Sequence, residues 1–200
     1  MRSEKTRKKG LMTMAEKEVS ATKLITPISI FTLVVPIVAF AAAMLSGNTL
    51  FLNYLHVLTG ATWTGVDLFM GLVMGRVLGG LEPPARVQII KRLVPIMLFF
   101  MPAIASVTIT AGFYLAIWEG VFSFQSPLII AAIAITAALT VQGIGMILPN
   151  ELRIYLELRK ESPNNEKIVK LGLRNFKLAG SEVIFQIAII FVMANLAFLP

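Results

Sequence analysis

The 200-residue sequence contains no cysteine and only one histidine, and just 14% of its residues are charged. Without cysteine, the chain cannot form disulfides, thiolate metal sites, iron–sulfur clusters or covalently attached c-type haem. Soluble domains have roughly a quarter of their residues charged, whereas here 56% of residues are hydrophobic and the mean hydropathy is +0.80. The composition therefore excludes a soluble globular domain and is typical of an integral membrane protein.

Five apolar runs are each long enough to cross a bilayer as a helix, which takes about 20 residues. They cover residues 24–45, 51–75, 93–117, 127–148 and 180–199. Residues 1–23 form a polar, basic tail ahead of the first run. We therefore predict an all-α protein in which residues 24–200 form a polytopic membrane bundle of five transmembrane helices.

The positive charges lie on alternate connections between these runs. Seven Lys and Arg are in the tail, four lie within 76–92 and seven within 153–177, which together make up all 18 in the sequence. The positive-inside rule then predicts a multi-pass protein of the cell membrane, with a cytoplasmic N-terminus and an outer C-terminus. The basic surplus is explained as a topogenic signal and a contact for anionic lipid headgroups, and we expect no nucleic-acid partner.

The segment 149–177 is more than a simple loop. Apolar residues such as Tyr155 and Ile168 recur at helical spacing among charged residues, and residues 162–165 interrupt the pattern. The pattern predicts an amphipathic cytoplasmic helical segment. It consists either of two short helices or of extensions of the fourth and fifth spans into the cytoplasm.

Polar residues within the spans are few, and an intramembrane ionisable group is a candidate for function. At a rise of about 1.5 Å per residue, Asp67, Gln142 and Gln186 lie at similar depths on three spans. We expect them to form one polar layer, which either holds three helices together or forms part of a proton or ion path. Glu182 is expected near the interface, in reach of water or of Arg174, with no chemical role.

One face of the second span carries a further candidate site. His56, Gly60, Trp63 and Asp67 follow the i, i+4, i+7, i+11 spacing of a helical stripe. Gly60 beside His56 leaves space either for a neighbouring helix or for a flat ligand. If the space admits a helix, His56 is expected to bond to a carbonyl, with Trp63 as core packing.

Three glycines four residues apart, Gly71, Gly75 and Gly79, form a small-residue stripe further along the same span. Such a stripe predicts close helix packing. The ten methionines are scattered over several spans without adjacent histidine or cysteine, so we interpret them as core filling and predict no metal site.

The run from Leu55 through His56 to Trp63, followed by Gly65, resembles the opening of a helix in the copper-resistance D (CopD)-like superfamily. That superfamily includes the HemJ-type protoporphyrinogen oxidases, and the resemblance covers about residues 51–199. It implies a b-type haem bound by His56. In the hypothesis of a haem-binding site, Gly60 and Trp63 form its walls. Because the chain has one histidine, the second iron ligand would be methionine, water or a group of another subunit.

Two classes of function are consistent with these observations. The first is an accessory, structural subunit of a larger membrane complex or homo-oligomer, which docks through the glycine stripe, the amphipathic segment and the tail. The second is a haem-binding membrane redox protein that uses His56. Metal or proton transport is the less favoured third, and no enzymatic activity is assigned.

The charge asymmetry generates the first testable prediction. Topology reporters fused after Gly47 and after Pro200 should both report the outer compartment, because all 18 cationic side chains lie on the other side. A cytoplasmic signal from either fusion would contradict the predicted orientation.

Overall fold

The computed structural model describes residues 26–196, so the predicted basic tail (1–23) lies outside the described residues. Within the described range the chain forms an all-α bundle of five long helices. They are α1 (Pro27–Ser46), α2 (Thr49–Gly80), α3 (Pro83–Trp118), α4 (Pro127–Leu158) and α5 (Asn165–Leu196). Each is long and apolar enough to cross a membrane. The fold therefore fits a multi-pass membrane protein.

Helix-capping residues mark both ends of α1 and the start of α2. The Thr26 hydroxyl accepts a hydrogen bond from the backbone N–H of Ser29, which caps the start of α1. Gly47 ends α1 in the left-handed conformation, with φ of 62°, where glycine has no steric penalty. Asn48 then caps α2 by accepting from the N–H of Phe51. The connection between α1 and α2 is therefore only two residues long.

The helices extend well beyond the predicted apolar runs at one end of the bundle. α3 begins at Pro83 instead of residue 93, α4 continues to Leu158, and α5 begins at Asn165 instead of residue 180. With 32 to 36 residues, α2 to α5 are each about 48–54 Å long, whereas the hydrocarbon core is about 30 Å thick. The segment 149–177 is therefore an extension of α4 and α5, and the alternative of two separate short helices is wrong.

These extensions have a hydrophobic core of their own at what we call the basic end, formed by residues 75–92 and 148–177. Leu78, Ile90, Ile154 and Ile168, from four different helices, are buried there against one another. Glu157 holds the connection between α4 and α5, because its carboxylate lies 2.9 Å from Lys160 and 2.8 Å from Lys167. The four connected helices are thus held together beyond the thickness of a bilayer.

α3 lies at the centre of the bundle and packs against α1, α2 and α5, while α5 also packs against α2 and α4. α1 is peripheral, with only Ser29 and Ala43 buried and most of its apolar side chains exposed. The Ser29 hydroxyl donates to the carbonyl oxygen of Pro95 in α3. An exposed apolar helix surface is what a lipid environment requires.

Two members of the glycine stripe lie where α2 crosses α5. A Cβ on Gly71 would lie 2.3 Å from the Cα of Gly180, so the two backbones touch there. Gly75 lies next to Phe176 of α5 at an ordinary distance, whereas nothing lies within 4 Å of a Cβ on Gly79. The close approach thus depends on Gly71 and Gly180, and Gly79 takes no part in it.

This contact allows a matched pair of substitutions. Gly71→Ala should lower stability by about 1–3 kcal/mol, because the added methyl group overlaps backbone that cannot move aside. Gly79→Ala is the control, and it should be neutral or stabilising by up to about 1 kcal/mol, because alanine favours the helix and has open space. Thermal unfolding in detergent measures both, and equal melting temperatures for the two variants would contradict the assignment.

Candidate functional site

A pair of buried carboxyl groups lies in the middle of the bundle. Asp67 on α2 is 2% exposed and Glu182 on α5 is 1% exposed, and their side chains contact each other. The amide Nε2 of Gln186 donates to Oδ2 of Asp67 at 2.7 Å, and Trp63 contacts both carboxyl groups. We call Asp67 and Glu182 the acid pair.

The hydrogen bonding of this site is incomplete. Within residues 26–196, neither Oε1 of Glu182 nor Oε1 of Gln186 has a hydrogen-bond partner, although both atoms are fully buried. Buried polar atoms in proteins are nearly always paired, and an unpaired one costs about 1–3 kcal/mol. The described protein groups therefore leave two buried oxygens of this site available as hydrogen-bond acceptors.

Irregular helical turns flank the acid pair on two helices. α2 changes to a π-helical turn over Phe69–Met74, directly after Asp67. α4 does the same over Gly143–Ile147, and Gly143 lies against Oε1 of Glu182. π-helical turns are rare and occur frequently at functional sites.

The π-helical turn in α4 is held by amide side chains at both of its ends. Before the turn, Nε2 of Gln142 donates to the carbonyl of Leu178 and to the hydroxyl of Ser181. After the turn, Asn150 donates to Asn175, which itself donates to the carbonyl of Ile147. Side chains from α5 thus stabilise the irregular backbone of α4.

A cavity of about 130 Å³ extends from the acid pair toward the basic end. Asp67, Glu182 and a third carboxyl group, Glu151 of α4, contribute to its wall, and Glu151 is itself only 8% exposed. Apolar side chains make up most of the remaining wall. Acidic groups therefore share one mainly apolar chamber inside the bundle.

The predicted polar layer is correct in one contact and wrong in another. Asp67 and Gln186 are hydrogen-bonded, as their equal depth predicts, but Gln142 bonds to Leu178 and Ser181 instead of joining them. Gln142 contacts a different side of α5 from the one that Asp67 contacts. Equal depth did not predict this difference, because depth does not determine the direction in which a side chain points. The polar layer therefore connects α2 with α5, and Gln142 does not link α4 to it.

The expectation for Glu182 was also wrong. Glu182 is buried beside Asp67, while Arg174 is exposed two helical turns away. The signal was present in the sequence, because Glu182 lies four residues before Gln186 and so shares its helix face. Glu151 gave no comparable signal, since it lies in the amphipathic segment, where a carboxyl group is usually exposed.

His56 lies at the interface of α2 and α3, away from the acid pair. Its Nδ1 donates to the carbonyl oxygen of Thr108 at 2.8 Å, and its ring lies so close to Gly112 that a Cβ there would be 2.6 Å from Cε1. Gly60 faces Thr108, whose hydroxyl lies 2.8 Å from that of Thr59. Of the predicted stripe, His56 and Gly60 thus pack on α3, while Trp63 and Asp67 belong to the cavity.

The surroundings of His56 do not fit a porphyrin between these helices. α2 and α3 are in direct contact at this level, where Leu52, Leu55 and Ala111 are buried against one another. The cavity wall includes Trp63 but neither His56 nor Gly60. The contact between α2 and α3 accounts for the positions of His56 and Gly60. No chemical step through a haem is assigned to these residues.

Comparison with protein-family models, curated proteins and solved structures finds no match to this chain. The functional argument therefore depends on the geometry of the acid pair and its cavity.

The haem expectation from the CopD-like resemblance has a direct test in the visible spectrum of the purified protein. Were haem bound through His56, a Soret band would be present, His56→Ala would remove it and Asp67→Asn would leave it. From the packing of His56 we expect a colourless protein and a loss of about 1 kcal/mol of stability in His56→Ala, because one buried hydrogen bond is lost. A reduced-minus-oxidised difference spectrum that depends on His56 would contradict this expectation.

Proposed function

We propose that the protein is a proton-coupled membrane transporter in which the acid pair binds and releases the proton. The observation that carries the proposal is the contact between two carboxyl groups, 2% and 1% exposed, on different membrane-spanning helices. Two carboxylates in contact in a low-dielectric interior cannot both be ionised without a positive charge beside them, so the pair shares a proton. Such a pair can gain or lose that proton when the helices move relative to each other.

The neighbours of the pair support an unequal sharing of the proton. The amide of Gln186 donates to Asp67, which stabilises the negative charge there. None of the described residues donates to Oε1 of Glu182, so the proton belongs on Glu182, whose hydroxyl then donates to Asp67. Gln186 and Trp63, the described side chains that contact the pair, carry no positive charge that would stabilise a doubly ionised state.

A proton fits this site better than a metal ion does. Among the described residues, no three His, Asp or Glu side chains are grouped closely enough to hold a metal. A hard divalent cation requires six or more oxygen ligands, which the mainly apolar wall does not offer. A proton needs only the two carboxyl groups.

The proposed route for the proton runs through the basic end. Glu151 shares the cavity with the acid pair and lies between it and the connection of α4 to α5. By the positive-inside rule, this end of the bundle faces the cytoplasm when the protein is in the cell membrane. Glu151 then relays protons between the cytoplasm and the acid pair.

The roles of accessory subunit and haem-binding redox protein remain predictions from the sequence. The accessory role depends partly on the basic tail, which lies outside the described residues. No observation at the acid pair requires either role, whereas the shared proton and the unpaired oxygens both agree with proton transport.

The proposal is tested by proton flux into liposomes that contain the purified protein and a pH-sensitive dye. Asp67→Asn and Glu182→Gln should each reduce the proton flux driven by a pH gradient about a hundredfold or more, in liposomes that enclose a mixture of small cellular solutes as counter-substrates, because each removes one of the two proton-binding groups. Glu166→Gln is the matched control, since it makes the same chemical change at an exposed position of α5, and it should leave the flux unchanged.

Helix content by circular dichroism accompanies each variant, so a loss of flux is assigned only to folded protein. Should both acid-pair variants be folded and conduct protons like the native chain, the proposed function is wrong.

A further inference from the structure

We propose that the cavity beside the acid pair binds a small organic cation with an apolar body, and that this cation exchanges with the proton on the pair. The inference rests on the proposed proton function, which it deepens by giving the chemical class of the transported molecule. It depends on three observations: the unpaired carboxyl oxygen, the composition of the wall and the size of the chamber.

The charge of the ligand follows from the carboxyl groups. Glu182 lines the cavity, is 1% exposed, and its Oε1 has no hydrogen-bond donor in the part of the chain that the structure describes. Asp67 and Glu151 add two further carboxyl groups to the same wall. A buried, unpaired carboxylate is stabilised by a positive charge, and an anion would be repelled from this wall.

The body of the ligand follows from the rest of the wall, which is almost entirely apolar. The lining includes two aromatic rings and several methionines: Trp63, Phe176, Met70, Met97 and Met101. Methionine side chains adapt to ligands of different shape, and an indole ring attracts an organic cation through its face. A strongly hydrated inorganic cation would lose its water here without replacement ligands, so the wall favours a cation that carries its own apolar groups.

The volume limits the size of the ligand. The chamber measures about 130 Å³, slightly less than the ~150 Å³ cavity that is known to hold one benzene molecule. A cation with a single ring, or with an alkyl group of similar volume, is therefore the expected class.

Exchange with the proton follows from the same carboxyl groups. When the cation enters, the proton on Glu182 leaves, so both carboxyl groups become ionised and face the new positive charge. When the proton returns, the cation loses its partner and dissociates. One positive charge replaces another, and the net charge inside the bundle is conserved.

The experiment uses the indole of Trp63 as a reporter within the cavity. The chain has two tryptophans, and Trp118 lies outside the cavity wall, so Trp118→Phe leaves Trp63 as the only indole. N-methylpyridinium is the probe, because it has a single ring and a charge that is independent of pH, and toluene is a neutral molecule of the same shape. Trp63 fluorescence is titrated with each probe in the purified, detergent-solubilised Trp118→Phe protein.

We expect saturable binding of N-methylpyridinium that is at least about thirtyfold tighter than binding of toluene, because only the cation gains a buried charge partner. Acidification should weaken binding of the cation and leave that of the neutral probe unchanged, since only the cation competes with protons. In the Trp118→Phe background, Glu182→Gln should remove the preference for the cation, whereas Glu166→Gln should retain it.

The comparison of the two probes in protein with an intact acid pair does not depend on whether an acid-pair variant folds. Equal affinity for the two probes, or a preference for the cation that acid does not weaken, overturns the inference. If proton flux in liposomes still depends on Asp67 and Glu182 in that case, the proposed function stands and only the ligand class is wrong. If the flux is independent of both residues as well, the proposed function fails too.

Discussion

The contact between Asp67 and Glu182 is the interaction that constrains the rest of the bundle. Burying two carboxyl groups in a membrane interior is costly unless they are protonated, hydrogen-bonded or charge-paired. Gln186 offsets part of this cost by donating to Asp67, whereas no donor to Oε1 of Glu182 is found among residues 26–196. A site that is partly satisfied in this way favours a change of protonation or ligand over a fixed structural role.

The backbone contact of Gly71 with Gly180 brings the acid pair together. Gly71 lies one helical turn after Asp67, and Gly180 lies two residues before Glu182. Because neither residue has a side chain, α2 and α5 can touch there, and the nearby carboxyl groups of Asp67 and Glu182 come within reach. The π-helical turns beside the pair add backbone irregularity at the same level. The packing motif and the chemical site are therefore parts of one arrangement.

The extended basic end lies next to the cavity of the acid pair. Its own core, with Leu78, Ile90 and Ile154, holds the helices together outside the thickness of a bilayer. Glu151 is buried at the junction between this core and the cavity. The packed core of the basic end therefore lies directly next to the cavity of the acid pair.

Much of the architecture could be predicted from the sequence, because hydrophobic length and the period of a helix are local properties. Five spans, the burial of Asp67 and its contact with Gln186 followed from run lengths and depth. Run lengths and depth do not specify the rotation of each helix about its axis or the packing of its polar ends. Only the tertiary structure decided these two features. Rotation directed Gln142 away from Asp67 and Glu182 toward it, and packing of the basic ends on one another lengthened α3, α4 and α5 beyond their apolar runs.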